Sequence, residues 1–213
     1  MKQDAATKGS TDVATETFDA AKKDDAEAKD ATELKVQAGL LTATGNSRSL
    51  AGTASSTFRM RRTANELGAA AALNYARSAA VRGEPMETTV ENYQGKIRYD
   101  RFLTERIALF LSVSARRDPF QGLDLRLNID PGVAYYLIDE KPVQLWAELG
   151  YDLQYDFRRT DKVLEAFNKG TPIDKAETRH SGRLFLGYQN NLSKAVTADA
   201  GIEYIQALSK TEN

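Results

Sequence analysis

The chain has 213 residues, with 29 Lys and Arg against 30 Asp and Glu, one His and no Cys. A near-neutral balance leaves no basic footprint for nucleic acid; the missing Cys excludes disulfides, thiolate zinc sites and thiol nucleophiles, and a lone His excludes multi-His metal ligation. The mean hydropathy of −0.50 and the lack of any apolar run of about 18 residues exclude a transmembrane helix but not a transmembrane β-barrel, whose strands are apolar on one face only.

Residues 1–33 are built from Ala, Thr, Asp, Lys and Glu, with Phe18 as the only aromatic. Such a segment cannot bury enough apolar surface to offset its ordering entropy, so it reads as a disordered acidic tail. The run from Ala20 to Leu34 favours helix by composition but carries no apolar stripe. Met1 leads straight into polar residues, so export implies a signal peptide removed from this chain.

From Leu34 onward, through residues 34–213, the governing period is two. Ile107, Leu109, Leu111 and Val113 alternate with Ala108, Phe110 and Ser112; Val143, Leu145, Ala147, Leu149, Tyr151, Leu153, Tyr155 and Phe157 alternate with Gln144, Trp146, Glu148, Gly150, Asp152, Gln154, Asp156 and Arg158. That is strand alternation, one greasy face against one polar face. The pattern predicts about nine strands: 34–44, 50–61, 66–78, 89–102, 106–116, 123–138, 143–158, 179–192 and 195–208. Pro131 interrupts the sixth on its apolar face, where a lost ladder bond predicts a bulge.

The connections alternate as well. Tight turns are expected at 63–65, 103–105, 139–142 and 193–194, and longer polar loops at 79–88, 117–122 and 159–178, which is the short-side and long-side asymmetry of outer-membrane barrels. The first connection, near Gly45, is short although it falls on the long-loop side. Alternation alone does not distinguish inside from outside, so a soluble sandwich or lipocalin-like barrel with its apolar faces inward is the rival. Three details favour the membrane reading: small residues such as Gly68, Ala70 and Gly150 on the charged face, strands longer than the usual 3–10 residues or so, and aromatics near strand ends (Tyr93, Tyr99, Tyr135, Tyr155, Phe157) resembling interfacial girdles.

The segments Tyr99-Asp100-Arg101-Phe102-Leu103-Thr104-Glu105-Arg106, Arg117-Asp118-Pro119-Phe120-Gln121-Gly122 and Gly132-Val133-Ala134-Tyr135-Tyr136-Leu137-Ile138-Asp139 resemble the YdiY-like family of salt-stress-induced outer-membrane proteins, a domain of unknown function. Leu40 to Leu50, with Thr44-Gly45-Asn46-Ser47, is similar to that family's first hairpin. The resemblance runs from about Leu34 to the C-terminus and implies a Gram-negative outer-membrane barrel without assigned catalytic residues. It also implies about 12 strands in a complete protein, since members continue for several strands beyond the position of Thr211-Glu212-Asn213; closure within these residues is therefore not expected.

The fold class expected is thus all-β, an antiparallel up-and-down transmembrane barrel, incomplete in this chain. On its polar face Lys96, Arg98, Arg126, Asp130, Trp146, Glu148, Asp152, Asp156, Arg158 and Arg183 are expected to line the lumen. The carboxylates Glu148, Asp152 and Asp156 have the even spacing of an acid pair or cation site, but a salt-bridge network with the neighbouring bases is the plainer account. His180 and Ser181 lie near Asp174 and Glu177, yet adjacent strand residues point to opposite faces and cannot form a triad. Asp118 and Asp124 bracket a loop as turn caps, and the pairs Arg61-Arg62 and Arg116-Arg117 read as solvated strand-end rims, the second within reach of lipid phosphates. No catalytic residue, cofactor, metal or nucleic-acid partner is expected. The anticipated partners are outer-membrane lipid and another strand-donating chain, and the role is structural or that of a narrow passage in the envelope.

Overall fold

The computed structural model describes residues 30–140, 142–193 and 196–212. They form one antiparallel sheet in strict chain order: β1 (Asp30–Ala43), β2 (Arg48–Arg62), β3 (Asn65–Ala79), β4 (Glu87–Phe102), β5 (Ile107–Asp118), β6 (Leu123–Asp139), β7 (Val143–Arg158), β8 (Ala176–Ser193) and β9 (Val196–Glu212). Each strand expected from the period-two pattern is present, with ends moved by a few residues. β1 begins at Asp30 rather than Leu34, because Asp30 to Glu33 pair with Arg62 to Arg59 of β2. The rest of the expected tail, residues 1–29, lies outside the described residues, as do Lys194 and Ala195 of the last expected turn and strand start.

The nine strands do not close into a barrel. β1 pairs with β2 alone and β9 with β8 alone among the described residues, so the sheet is open, with an unpaired edge on each outer strand. The expected bulge at Pro131 is also absent. Pro131 pairs with Leu111 in unbroken register, and toward β7 the pairs Ile129 with Leu153 and Gly132 with Gly150 keep one register across it. The ladder toward β7 lacks the pairs of Asp130 and Pro131 but does not shift there, and the register shifts of β6 lie instead at Leu123/Leu125 and Tyr136/Ile138.

Two features escaped the strand pattern. Asp118 accepts from the Gln121 N–H at 3.1 Å and opens a single 3-10 turn (Pro119–Gln121) that ends at left-handed Gly122. The long connection 159–178 contains a helix, α1 (Thr160–Asn168), whose Val163, Leu164 and Phe167 recur at the i, i+1, i+4 spacing of one helical face.

The sheet is strongly curled. Register places Asp152 of β7 level with Arg98 of β4, and Glu148 four residues farther along. On a flat sheet Arg98 and Glu148 would stand about 20 Å apart, beyond the reach of their side chains; here their charged groups meet at 2.9 Å. The curl makes the polar face concave and the apolar face convex. Ala108, Phe110, Ala134, Tyr136, Trp146 and Phe185 form a buried cluster on the concave side, toward the short-turn end, with Phe102 packed against it.

Candidate functional site

The cluster at the short-turn end is built by laying aromatic rings over glycines of the next strand. Phe110 pairs with Gly132 and Trp146 with Gly187, while Phe185 leans onto Gly201. A Cβ at Gly132 or Gly187 would overlap the ring above it, and one at Gly201 would stand 2.9 Å from Phe185 Cζ. Those positions carry no side chain because the rings occupy the volume.

Beside the rings runs a charged arch. Arg98 meets Glu148 at 2.9 Å and Asp100 at 2.8 Å, and Arg183 donates to Glu148 at 2.7 Å and to Glu203 at 2.5 Å. Arg98 also stacks on Phe110, its guanidinium carbon 4.1 Å from the ring centre. Glu148 is only 1% exposed, and two opposite charges, one of them through the hydrogen bond from Arg183, offset the cost of burying it.

Toward the long-loop end the same face holds Arg126 against Asp156 through two bonds of 2.7 Å, and Arg158 against Glu177. Between arch and loop end lies a cavity of about 380 Å³ walled by β4 to β9. Gln94, Arg116 and Arg126 stand at its loop side, Ser112, Asp130 and Asp152 deeper, and Phe110 with Arg98 and Arg183 at its floor.

Every residue expected on the polar face is on the concave face. The cavity gathers Lys96, Arg98, Arg126, Asp130, Asp152 and Arg183; Trp146 and Glu148 belong to the ring cluster and the arch, and Asp156 and Arg158 to the loop-side ion pairs. The plainer account of the carboxylates fits Glu148 and Asp156, whereas Asp152 accepts from Asn128 at 2.8 Å.

His180 and Ser181 point to opposite faces: His180 Nδ1 meets the Tyr151 hydroxyl, with the rings 6.0 Å apart, and Ser181 is buried. Arg61 is not the solvated rim expected of it. It is 9% exposed, 3.9 Å from Glu66 and 4.6 Å from the centre of the Phe102 ring, because the curl folds the strand end inward. Arg116 and Arg117 pair with Asp118 at 2.9 Å and Glu91 at 2.6 Å. The glycine-ring stacking and Ser112 were missed in the sequence; an aromatic and a glycine at matching positions of adjacent inward faces was the available signal.

Outside the sheet, the Arg159 guanidinium holds the Asp161 carboxyl below its ordinary range, and Lys169 with Lys162 lowers Glu165 to about 2. Among the described residues no group of three or more His, Cys, Asp or Glu is placed to hold a metal ion.

The family of proteins of unknown function DUF481 matches residues 36–213, which takes in nearly all of the sheet. The chain belongs to the DUF481 family. No curated protein and no solved structure matches it. This DUF481 chain therefore takes its family from the sheet as a whole, while its site has to be read from its own residues.

Proposed function

We propose that this DUF481 protein is an outer-membrane β-barrel protein of the bacterial envelope, with a structural or narrow-passage role and no enzymatic activity. The observation that carries the reading is the inverted burial of the sheet. Ile97 is 57% exposed, Leu149 63% and Leu184 51%, while Arg98, Asp100, Glu148 and Asp156 are each 2% exposed or less. Water would favour the opposite arrangement, and a lipid solvent favours this one. Strands of 12 to 18 residues exceed the roughly 9–11 that a tilted strand needs to span a bilayer. The exposed aromatics Tyr99, Tyr135 and Tyr188 on the short-turn side, and Tyr93 on the loop side, suit the two interfaces.

The ring cluster and the charged arch narrow the concave face at the short-turn end, which supports at most a constricted passage. The test is gel mobility of the chain folded into detergent micelles, boiled against unboiled, beside the chain in plain buffer. A heat-shifted band that needs detergent is the expected result; a folded monomer in buffer alone would overturn the reading.

A second reading is favoured by the outer strands, in which the sheet is completed by strands of another chain. Among the described residues β1 and β9 each have an unpaired edge, and Leu34, Leu40, Ile202 and Tyr204 are more than half exposed. Crosslinking from β9 in cells should then recover one defined neighbour, and recovery of none would dismiss it.

A further inference from the structure

The cavity contains buried polar atoms that the fold leaves without hydrogen-bond partners, and they are sorted by depth. At its deep end are Ser112 Oγ and Asp130 Oδ1, on residues that face each other across β5 and β6; at its loop side are Gln94 Nε2 and Arg116 Nε, on residues paired across β4 and β5. Ser112 is 3% exposed. A buried hydroxyl or carboxylate oxygen without a partner costs about 1–3 kcal/mol or more, and a ligand that donates at the deep end, where Ser112 Oγ can accept as well as donate, and accepts at the loop side would satisfy all four atoms.

The deep end is acidic in a particular way. Asp130 stands opposite Asp152, between the pairs Ile129–Leu153 and Gly132–Gly150, and their carboxyls lie within hydrogen-bond reach of each other. Of the cations that line the cavity, Arg98 and Arg183 are engaged by Glu148 and Arg126 by Asp156, while Lys96 lies near Asp130. A ligand ammonium donating to Asp130 Oδ1 and Ser112 Oγ gives both unpartnered oxygens a donor. At the loop side, Gln94 Nε2 and Arg116 Nε present N–H groups suited to a carboxylate, the other end of the Arg116 guanidinium being held by Asp118 at 2.9 Å.

We propose that this cavity binds a short zwitterion of dipeptide size, its ammonium at Ser112, Asp130 and Asp152 and its carboxylate at Gln94 and Arg116. The two rows of side chains lie four residues apart along β5, about 13 Å between Cα atoms. Two extended residues span roughly 7 Å, and the side chains of both rows, all lining the cavity, occupy the remainder of that separation. The proposal concerns the cavity alone and does not need the sheet to sit in a membrane.

The test is calorimetric titration of the folded full chain, in detergent or in buffer according to where it folds, with dialanine, N-acetyl-dialanine, dialanine amide and calcium chloride. Saturable binding of dialanine is expected, with each capped form about tenfold weaker or worse, the size of one lost charged hydrogen bond. Asp130→Asn should abolish the preference for the free ammonium, and Gln94→Ala the preference for the free carboxylate. Equal binding of free and capped peptides, no saturation by dialanine at millimolar concentration, or saturable calcium binding that dialanine does not displace would each overturn the proposal. The peptide series on the unmutated chain decides the matter if a variant fails to fold. Gel mobility of the unliganded chain reports separately on the membrane reading.

Discussion

Replacing Gly187 with alanine introduces a methyl group where Trp146 already lies. The new Cβ would overlap Cε2 and Cζ2 of the indole and stand 2.8 Å from Nε1, whereas ordinary carbon contacts begin near 3.5 Å. The ring must therefore withdraw by roughly 1 Å, against Phe185, whose ring centre is 6.3 Å away. Overpacking of this kind costs about 1–3 kcal/mol, while Gly→Ala returns about 0.4–1 kcal/mol through the unfolded chain, leaving a net loss of about 1.3 kcal/mol at the midpoints of the two ranges. Gly182→Ala is the control, because nothing lies within 4 Å of its added Cβ. Trp146 is the only tryptophan of the chain, so its emission reports the displacement directly while urea titration reports the stability. A Gly187→Ala protein as stable as Gly182→Ala, with unchanged emission, would refute the ring-over-glycine account of the cluster.

Glu148→Gln leaves Arg98 and Arg183 without the carboxylate between them, and a loss of about 3 kcal/mol is expected in the urea midpoint, the scale of breaking one side of a buried ion pair. On the convex face, Ile97→Arg should cost about 2–4 kcal/mol on refolding into lipid vesicles if the face meets hydrocarbon; a change within about 0.5 kcal/mol would put that face in water. Glu165, lowered from 4.5 to about 2 by Lys169 and Lys162, contributes to α1 fully above its ordinary range, and that contribution fades as pH falls through about 2. Its carboxyl carbon should titrate near 2 in NMR and move upward in high salt, which screens exposed pairs; titration at the ordinary value in low salt would show that the two lysines do not hold it.

The strands were legible because a pleated chain turns its side chains over every residue. Ile107 to Val113 and Val143 to Phe157 carry that alternation without interruption, and the turns between strands carry their own residue types. For the same reason the grouping of Lys96, Arg98, Asp130, Asp152 and Arg183 on one face followed from parity alone. α1 was not legible as part of a sheet, since its apolar residues stand at helical spacing inside a polar connection. The Pro131 bulge failed because register is a property of three strands together, and β5 and β7 hold β6 straight there.

Parity assigns faces but not curvature. An alternating strand is equally compatible with either face being concave, so nothing in Val143 to Arg158 alone says that Glu148 is buried and Leu149 exposed. That depended on the direction in which nine paired strands bend, which brings Arg98 of β4 onto Glu148 of β7 and seats Trp146 on Gly187. It also depended on contacts between residues far apart in the chain, whose distances no local pattern encodes. The sequence by itself determined strands, faces and the alternation of short and long connections, because each rests on neighbours along the chain. Where the cavity lies, which distant side chains meet across it and which polar atoms remain unpartnered were decided only when the sheet curled.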